Sequence, residues 1–237
     1  MKLISLNLFW GEIEEPLADF LKRYADKTDI FLFQEMPGPI SNNGKPSLTS
    51  GEIKNILSGF INYSKDFYVN EDHWDDLGIF VKSGVNISKS GEVETYDANI
   101  PNDKTVYAWR DLGYVIIEGG KLIANFHGFW DGPDKFDRPR RVEQSRKVKA
   151  FLDKHSGPKI LAGDFNLWPE TESLRILEKN MINLIDKYGI KSTRPPDWEF
   201  PNKFSDYIFT SSDIKVNDFK VLPDIVSDHL ALYLDYD

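Results

Sequence analysis

The sequence predicts an α/β sandwich of two packed sheets covered by helices. Three observations carry this. Apolar runs at 2–8 and 29–35 bracket a stretch with helical spacing. The middle of the chain is rich in alternating, β-branched and aromatic segments. A helix, a strand, a helix and further strands then follow toward the C-terminus.

Taken in order, residues 2–8 read as a buried strand. Residues 14–26 set Leu17, Phe20, Leu21 and Tyr24 on one helical face. Residues 29–35 form a second buried strand, closed by Pro37-Gly38-Pro39. The polar stretch 41–51 is a loop, and 52–57 a short helix. Strands are expected at 63–69, 77–82, 85–95, 105–118 and 121–127, with Gly119-Gly120 as a hairpin turn. Residues 128–139, rich in Gly, Pro, Asp and aromatics, form a loop. A helix over 140–154 carries Val142, Val148, Phe151 and Leu152, and Gly157-Pro158 ends it. A strand at 159–163, a helix at 170–178 and strands at 205–210, 215–222 and 230–236 complete the pattern. With no repeat, low-complexity tract or linker, one domain over residues 1–237 is expected.

Apolar content of 41% and charged content of 28% are those of a soluble globular protein. No run approaches the roughly 20 apolar residues that span a bilayer. The start has one basic residue and a brief apolar stretch, so it reads as a core strand and a cytoplasmic monomer is expected. The absence of cysteine excludes disulfides, zinc–thiolate sites and thiol nucleophiles. A net charge of -9 argues against strong non-specific binding to duplex DNA, although it permits a local basic patch. Part of that excess is expected of a carboxylate site neutralised by a metal. Neither a membrane nor a protein partner is inferred.

The chemistry-bearing residues sit at the ends of expected strands. Glu35 closes an apolar run, where α/β ligand sites form, and reads as a metal ligand or as an ordinary solvated carboxylate before a turn. Asp164 and Asn166 follow Ile160-Leu161-Ala162. They point to one side if the strand persists, or form an Asx turn if it does not. Asp164 can orient water or take its proton, and Asn166 can donate to a phosphate oxygen. Gly163 allows close backbone approach. Asp228-His229 precedes the last strand, and Asp206 is a plausible orienter for the His229 imidazole. His127 opens the aromatic loop and either meets a phosphate oxygen or has no special role. Arg110, Arg138, Arg140 and Arg141 either pair with phosphate or form salt bridges with Asp111, Asp137 and Glu143. Phe129, Trp130 and Phe136 either stack on a base or pin the loop.

In chain order the sequence shows Asn7, Gln34-Glu35, Asn125-Phe126-His127, Gly163-Asp164-Phe165-Asn166, Ser205-Asp206-Tyr207 and Ser227-Asp228-His229. That order resembles the endonuclease/exonuclease/phosphatase superfamily over nearly the whole chain. The resemblance implies a four-layered α/β sandwich of two mixed sheets flanked by helices, and dependence on Mg²⁺ or Mn²⁺. It implies Glu35 as the main metal ligand with Asn7 close by, and Asp228 as a further candidate. Asp164 and Asn166 would position nucleophile and phosphate. His229, oriented by Asp206, would serve the reacting phosphate, and His127 would assist. Arg110, Trp130, Arg138 and Arg140 are the candidates for substrate binding. Two departures stand out. Phe9 occupies a position often acidic in nuclease members, and the Lys203-Phe204-Ser205 region replaces an arginine. The expected activity is phosphodiester hydrolysis by in-line water attack. Single-stranded or damaged nucleic acid is the first-choice substrate, and a small or lipid-linked phosphate, or a silent binding role, the alternatives.

Overall fold

The computed structural model describes residues 1–39, 47–64, 68–70, 73–74, 77–95, 112–130, 132 and 134–237. Strands β1 (Lys2–Asn7) and β2 (Ile30–Gln34) are buried almost throughout, which is why they read as continuous apolar runs. They pair in parallel, Asn7 opposite Gln34, through the crossover helix α1 (Glu14–Ala25). Helix α2 (Ser50–Ile56) starts two residues earlier than expected, because Thr49 and Glu52 close a capping box. Then come β3 (Phe60–Asn62), β4 (Tyr68–Asn70), β5 (His73–Trp74), β6 (Gly78–Lys82) and β7 (Ile87–Val93). Of the strand expected at 63–69, β4 covers the end, β3 lies just before it, and residues 65–67 lie outside the described residues. Of the strand expected at 105–118, the described portion is β8 (Leu112–Ile117). Arg110 and Asp111 lie outside the described residues.

Strand β9 (Lys121–His127) follows β8 through the Gly119-Gly120 turn, where both glycines have positive φ. It pairs in parallel with β10 (Lys159–Asp164) across α3 (Pro139–Lys154). Helix α4 (Glu172–Glu178) is capped by Thr171. The short β11 (Ile182–Asn183) and α5 (Leu184–Lys187) have too few residues for a sequence period to register. Strands β12 (Asp206–Thr210), β13 (Val216–Val221) and β14 (Leu232–Tyr236) end the chain.

Two six-stranded mixed sheets result. One has the order β13-β14-β1-β2-β6-β3, the other β11-β12-β10-β9-β8-β7. Alternation sorts each strand's side chains. Phe31 and Phe33 join Leu17, Phe20 and Leu21 beneath the helices, while Leu3, Ile30 and Leu32 face the second sheet's Ile123 and Ile160 in a second cluster. On the far side, Phe151 of α3 packs on Tyr114 of β8 at 5.0 Å between ring centroids. The layers are therefore helix, sheet, sheet, helix. Among the described residues no helix is long and apolar enough to cross a membrane.

The inner faces turn polar toward one end. Gln34 Nε2 donates across the sheets to Asn125 Oδ1 at 2.6 Å. Asn125 Nδ2 donates to the carbonyls of Phe33 at 2.8 Å and Gly78 at 3.1 Å. This buried bridge fixes the register of one sheet on the other directly beneath the site. Two parallel strand pairs, β1/β2 and β9/β10, end side by side above it.

Candidate active site

Asn7, Glu35, His127 and Asp164 stand at or just past the C-terminal ends of those four strands. Pairing alone sets Asp164 opposite His127 on one flank and opposite Asp206 on the other. Such close approach needs glycine. A Cβ on Gly163 would lie 1.8 Å from the Phe126 carbonyl oxygen, and one on Gly128 1.9 Å from that of Phe165.

Asp164 is the hub and is 2% exposed. Its Oδ1 accepts from the Asn166 backbone N–H at 2.9 Å and, through a short contact, from the Ser205 hydroxyl. Its Oδ2 accepts from Asn7 Nδ2 at 3.1 Å and lies 3.7 Å from His127 Nε2 and 3.6 Å from His229 Nε2. Burial alone would raise this carboxyl's pKa. The positive ends of His229, Lys135, His127 and Arg194 outweigh that and hold it well below the usual carboxylate range.

The strand does not persist to Asn166. It stops at Asp164, and an Asx turn carries Asn166 into the left-handed region at φ 52. Its Nδ2 donates to the Gly128 carbonyl at 3.1 Å. Glu35 is likewise left-handed at φ 50, an unusual setting for a long side chain. Its carboxylate is 18% exposed and reaches to 3.9 Å from His127 Nε2.

His229 Nδ1 meets both oxygens of Asp206, at 2.8 and 2.9 Å. Asp206 Oδ2 also accepts from Thr193 Oγ1 at 2.8 Å. With Nδ1–H donated to Asp206, Nε2 faces the Asp164 carboxylate, a partner that favours a proton there. Burial and Arg194 push the His229 pKa down, but Asp206, Asp228 and Asp164 together push harder, and the net shift is upward.

Asp228 is paired with Arg194 beside His229. Its Oδ2 accepts from Arg194 Nη1 at 2.6 Å, and its Oδ1 is 3.8 Å from His229 Nε2. Arg194 is 5% exposed, also binds the Asp228 carbonyl at 2.9 Å, and lies 4.3 Å over the Trp198 ring.

Among the described residues, two sets of ligand atoms are close enough to hold a metal. Glu35, His127 and Asp164 form one, and Asp164, Asp206 and His229 the other, with the atoms of each set within 4.8 Å of one another. The first set fits a hard divalent ion, because its two carboxylates offer oxygen. The neighbouring Asn7 turns its amide nitrogen to Asp164, and its oxygen accepts from the Phe9 N–H at 2.9 Å.

Of the basic and aromatic candidates, Arg138 pairs with Asp134 at 2.7 Å, and Arg140 lies 5.7 Å from the Phe129 ring centroid. Asp137 caps α4 by accepting from the N–H groups of Glu172 and Ser173, and it also feels the positive charge of Arg141. Arg141 is buried and donates to the carbonyls of Phe129, Asp134 and Phe136, so it shapes the loop. Trp130 is 41% exposed and Phe136 60%.

The sequence reading missed Lys135, Thr193, Arg194 and Ser205 as site residues. Lys135 is 4% exposed and donates to Ser205 Oγ at 2.5 Å. Lys203, in the region where the family's arginine is replaced, donates to the Trp198 carbonyl at 2.5 Å. Arg194 and Lys135 supply the positive charge from loops without a strand-end motif. The one local signal was a lysine inside a loop otherwise made of Gly, Pro, Asp, aromatics and one arginine, Arg138.

The model of the endonuclease/exonuclease/phosphatase family matches residues 4–229. No curated protein matches in sequence. Among solved structures, a mannosyl-6-phosphatase from Bacteroides thetaiotaomicron superposes with a TM-score of 0.71 at 18% identity, covering 100% of this chain and 99% of that one. A Leptotrichia buccalis protein described as of the same family gives 0.70 at 17% identity, with 100% and 99% coverage. The human Nocturnin catalytic domain with bound sulfate gives 0.66 at 16% identity, with 100% and 93% coverage.

Proposed function

The chain belongs to the endonuclease/exonuclease/phosphatase family, and from that premise we propose that it hydrolyses a phosphoester with the help of a divalent ion, Mg²⁺ first and Mn²⁺ second. The observation that carries this reading is the ring around Asp164 Oδ2, where one amide and two imidazoles converge on one carboxylate oxygen. Glu35 and Asp164, with Asn7 close by, would hold the ion. Bound there, it would polarise the phosphoryl oxygens and offset their charge.

The chain's own groups supply the rest. Asp164, held anionic, accepts a hydrogen bond from the attacking water and aligns it with phosphorus. His229, its other nitrogen anchored on Asp206, presents an Nε2–H to a non-bridging oxygen. Asn166 spends one amide hydrogen on Gly128 and keeps a second for the phosphate. His127 borders the same oxygens from the opposite strand.

A small phosphorylated molecule is the substrate class supported best. The net charge of -9 disfavours a polyanion. The described arginines of the 128–139 region and of α3's first turn are engaged within the protein. The structurally similar mannosyl-6-phosphatase is consistent with this choice. The second reading, single-stranded or damaged nucleic acid, draws on Trp130, exposed two residues beyond Gly128 and able to stack on a base.

The test is a panel of sugar phosphates, inositol phosphates, sphingomyelin and oligonucleotides, each with Mg²⁺, Mn²⁺ or EDTA. Metal-dependent turnover of one class supports the proposal. No turnover on any of them, together with no divalent-ion binding by calorimetry, refutes it.

A further inference from the structure

We propose that Lys135 grips a non-bridging oxygen of the substrate phosphate and fits the site to a terminal phosphate, that of a phosphomonoester. The inference deepens the phosphoester-hydrolase reading and rests on it.

The loop bearing Lys135 is locked. Arg141 holds three of its carbonyls, Gln144 Oε1 accepts from the Phe129 N–H at 2.8 Å, and the Lys135 carbonyl accepts from the Trp168 N–H at 2.8 Å. This framework drives an ammonium group into the floor of the site. Among the described residues, that ammonium has one hydrogen-bond acceptor, the neutral Ser205 hydroxyl. It feels Asp164, Asp206 and Asp228, but none of them contacts it within ion-pair distance. A lysine carries three N–H donors, so two remain for which the described residues provide no acceptor.

Maintaining the Ser205–Asp164 hydrogen bond does not require a cation, because the hydroxyl donates by itself. Nor does packing, since an apolar chain of equal length would fill the space at less desolvation cost. What a buried, under-coordinated ammonium does suit is an incoming anion. Its position sharpens the choice. Ser205, hydrogen-bonded to Lys135, lies at Asp164 Oδ1, while Asn7, His127 and His229 surround Oδ2. A phosphate seated over Asp164 would meet Lys135 on one side and the Glu35–His127 flank on the other. A terminal phosphate carries about -1.5 to -2 charge near neutrality and has three free oxygens. A diester has one charge and two free oxygens, and so gains less from a second cationic flank.

The experiment compares wild type, Lys135→Met and Ser205→Ala, with folding checked by circular dichroism. Hydrolysis of p-nitrophenyl phosphate and bis(p-nitrophenyl) phosphate is measured, and binding of inorganic phosphate by calorimetry. Lys135→Met should weaken phosphate binding roughly 10- to 100-fold. It should lower kcat/KM on the monoester roughly 100-fold, and on the diester several-fold less. Ser205→Ala should lower kcat on both while phosphate binding persists. Equal losses on the two substrates with unchanged phosphate affinity would overturn the proposal and leave Lys135 a positioning residue for Asp164. If wild type hydrolyses neither compound, the phosphoesterase reading is what fails. Calorimetry then decides Lys135 alone: equal phosphate affinity in wild type and Lys135→Met overturns its role. Should the methionine variant not fold, Lys135→Gln carries the same comparison.

Discussion

His229 Nε2 and Asp164 Oδ2 lie 3.6 Å apart. They come from opposite halves of the sandwich, Asp164 from the end of β10 and His229 from the turn leading into β14. That spacing is too long for a direct hydrogen bond and short enough for one small oxygen ligand to touch both. Neither residue owes its position to the other. Asp164 is set by strand pairing and the Ser205 hydroxyl, and His229 by Asp206. The gap is therefore built in from both sides, as a preorganised electrostatic site requires.

His229→Ala should lower kcat by roughly 10²- to 10⁴-fold. Asp206→Asn should act more subtly, by removing one of the charges that raise the His229 pKa. A raised imidazole pKa stabilises the folded state below the ordinary value near 6.5, and that contribution is lost as pH rises through the folded value. In Asp206→Asn the window should narrow and its upper edge move to lower pH. NMR titration of the His229 ring, with denaturation across pH 5 to 9, would show it. An unmoved titration would mean that Asp206 does not govern the proton.

Glu35 holds a left-handed backbone for the sake of its carboxylate. Glu35→Ala and Glu35→Gly should both abolish turnover and weaken Mg²⁺ binding. Only glycine relieves φ 50, so Glu35→Gly should be the more stable of the pair by about 1 kcal/mol. Urea denaturation of both variants tests this. A more stable alanine variant would show that the conformation is unstrained.

Much of this site was visible in the sequence because it follows strand ends. Asn7, Glu35, His127 and Asp164 each close an apolar run, and a run's end is legible from one sequence. Gln34 and Asn125 were legible as motif positions, but not as the bridge between sheets, since nothing local marks a partner 91 residues away. Lys135, Thr193 and Arg194 were invisible for a related reason. Their loops are placed by long-range contacts such as Arg141 to the Phe129 carbonyl and Leu230 N–H to the Thr193 carbonyl. Helix starts shifted by a residue or two wherever a cap decided them, as at Thr49 and Thr171.

Gly163→Ala should unfold or severely destabilise the protein, by more than about 4 kcal/mol. The added methyl would sit 1.8 Å from the Phe126 oxygen, at φ +145, on a strand paired on both sides. Gly84→Ala is the control. Its φ of +101 is also unfavourable, but nothing lies within 4 Å of the new Cβ, so the loss there is backbone strain alone. Thermal melts of the two variants should separate steric collision from strain, and equal losses would contradict the packing argument.

Lys135 should leave a signature in stability opposite to that of His229. Burial, which outweighs the attraction of Asp164 and Asp206, pushes its pKa from 10.5 down to about 8. Between those values the unfolded chain binds a proton that the folded one does not, so stability rises with pH across that window. Below about pH 8 the folded state carries the full penalty, about 3 kcal/mol for such a shift. Lys135→Met removes both the penalty and the slope. The variant should therefore be more stable than wild type at pH 7 by up to about 3 kcal/mol, with the advantage shrinking toward pH 10. The gain should accompany the loss of phosphate binding, the usual sign of a group kept for function at the expense of stability. Denaturant midpoints of both proteins from pH 6 to pH 10 measure it directly. Parallel curves would mean that the Lys135 ammonium is as well solvated in the fold as outside it.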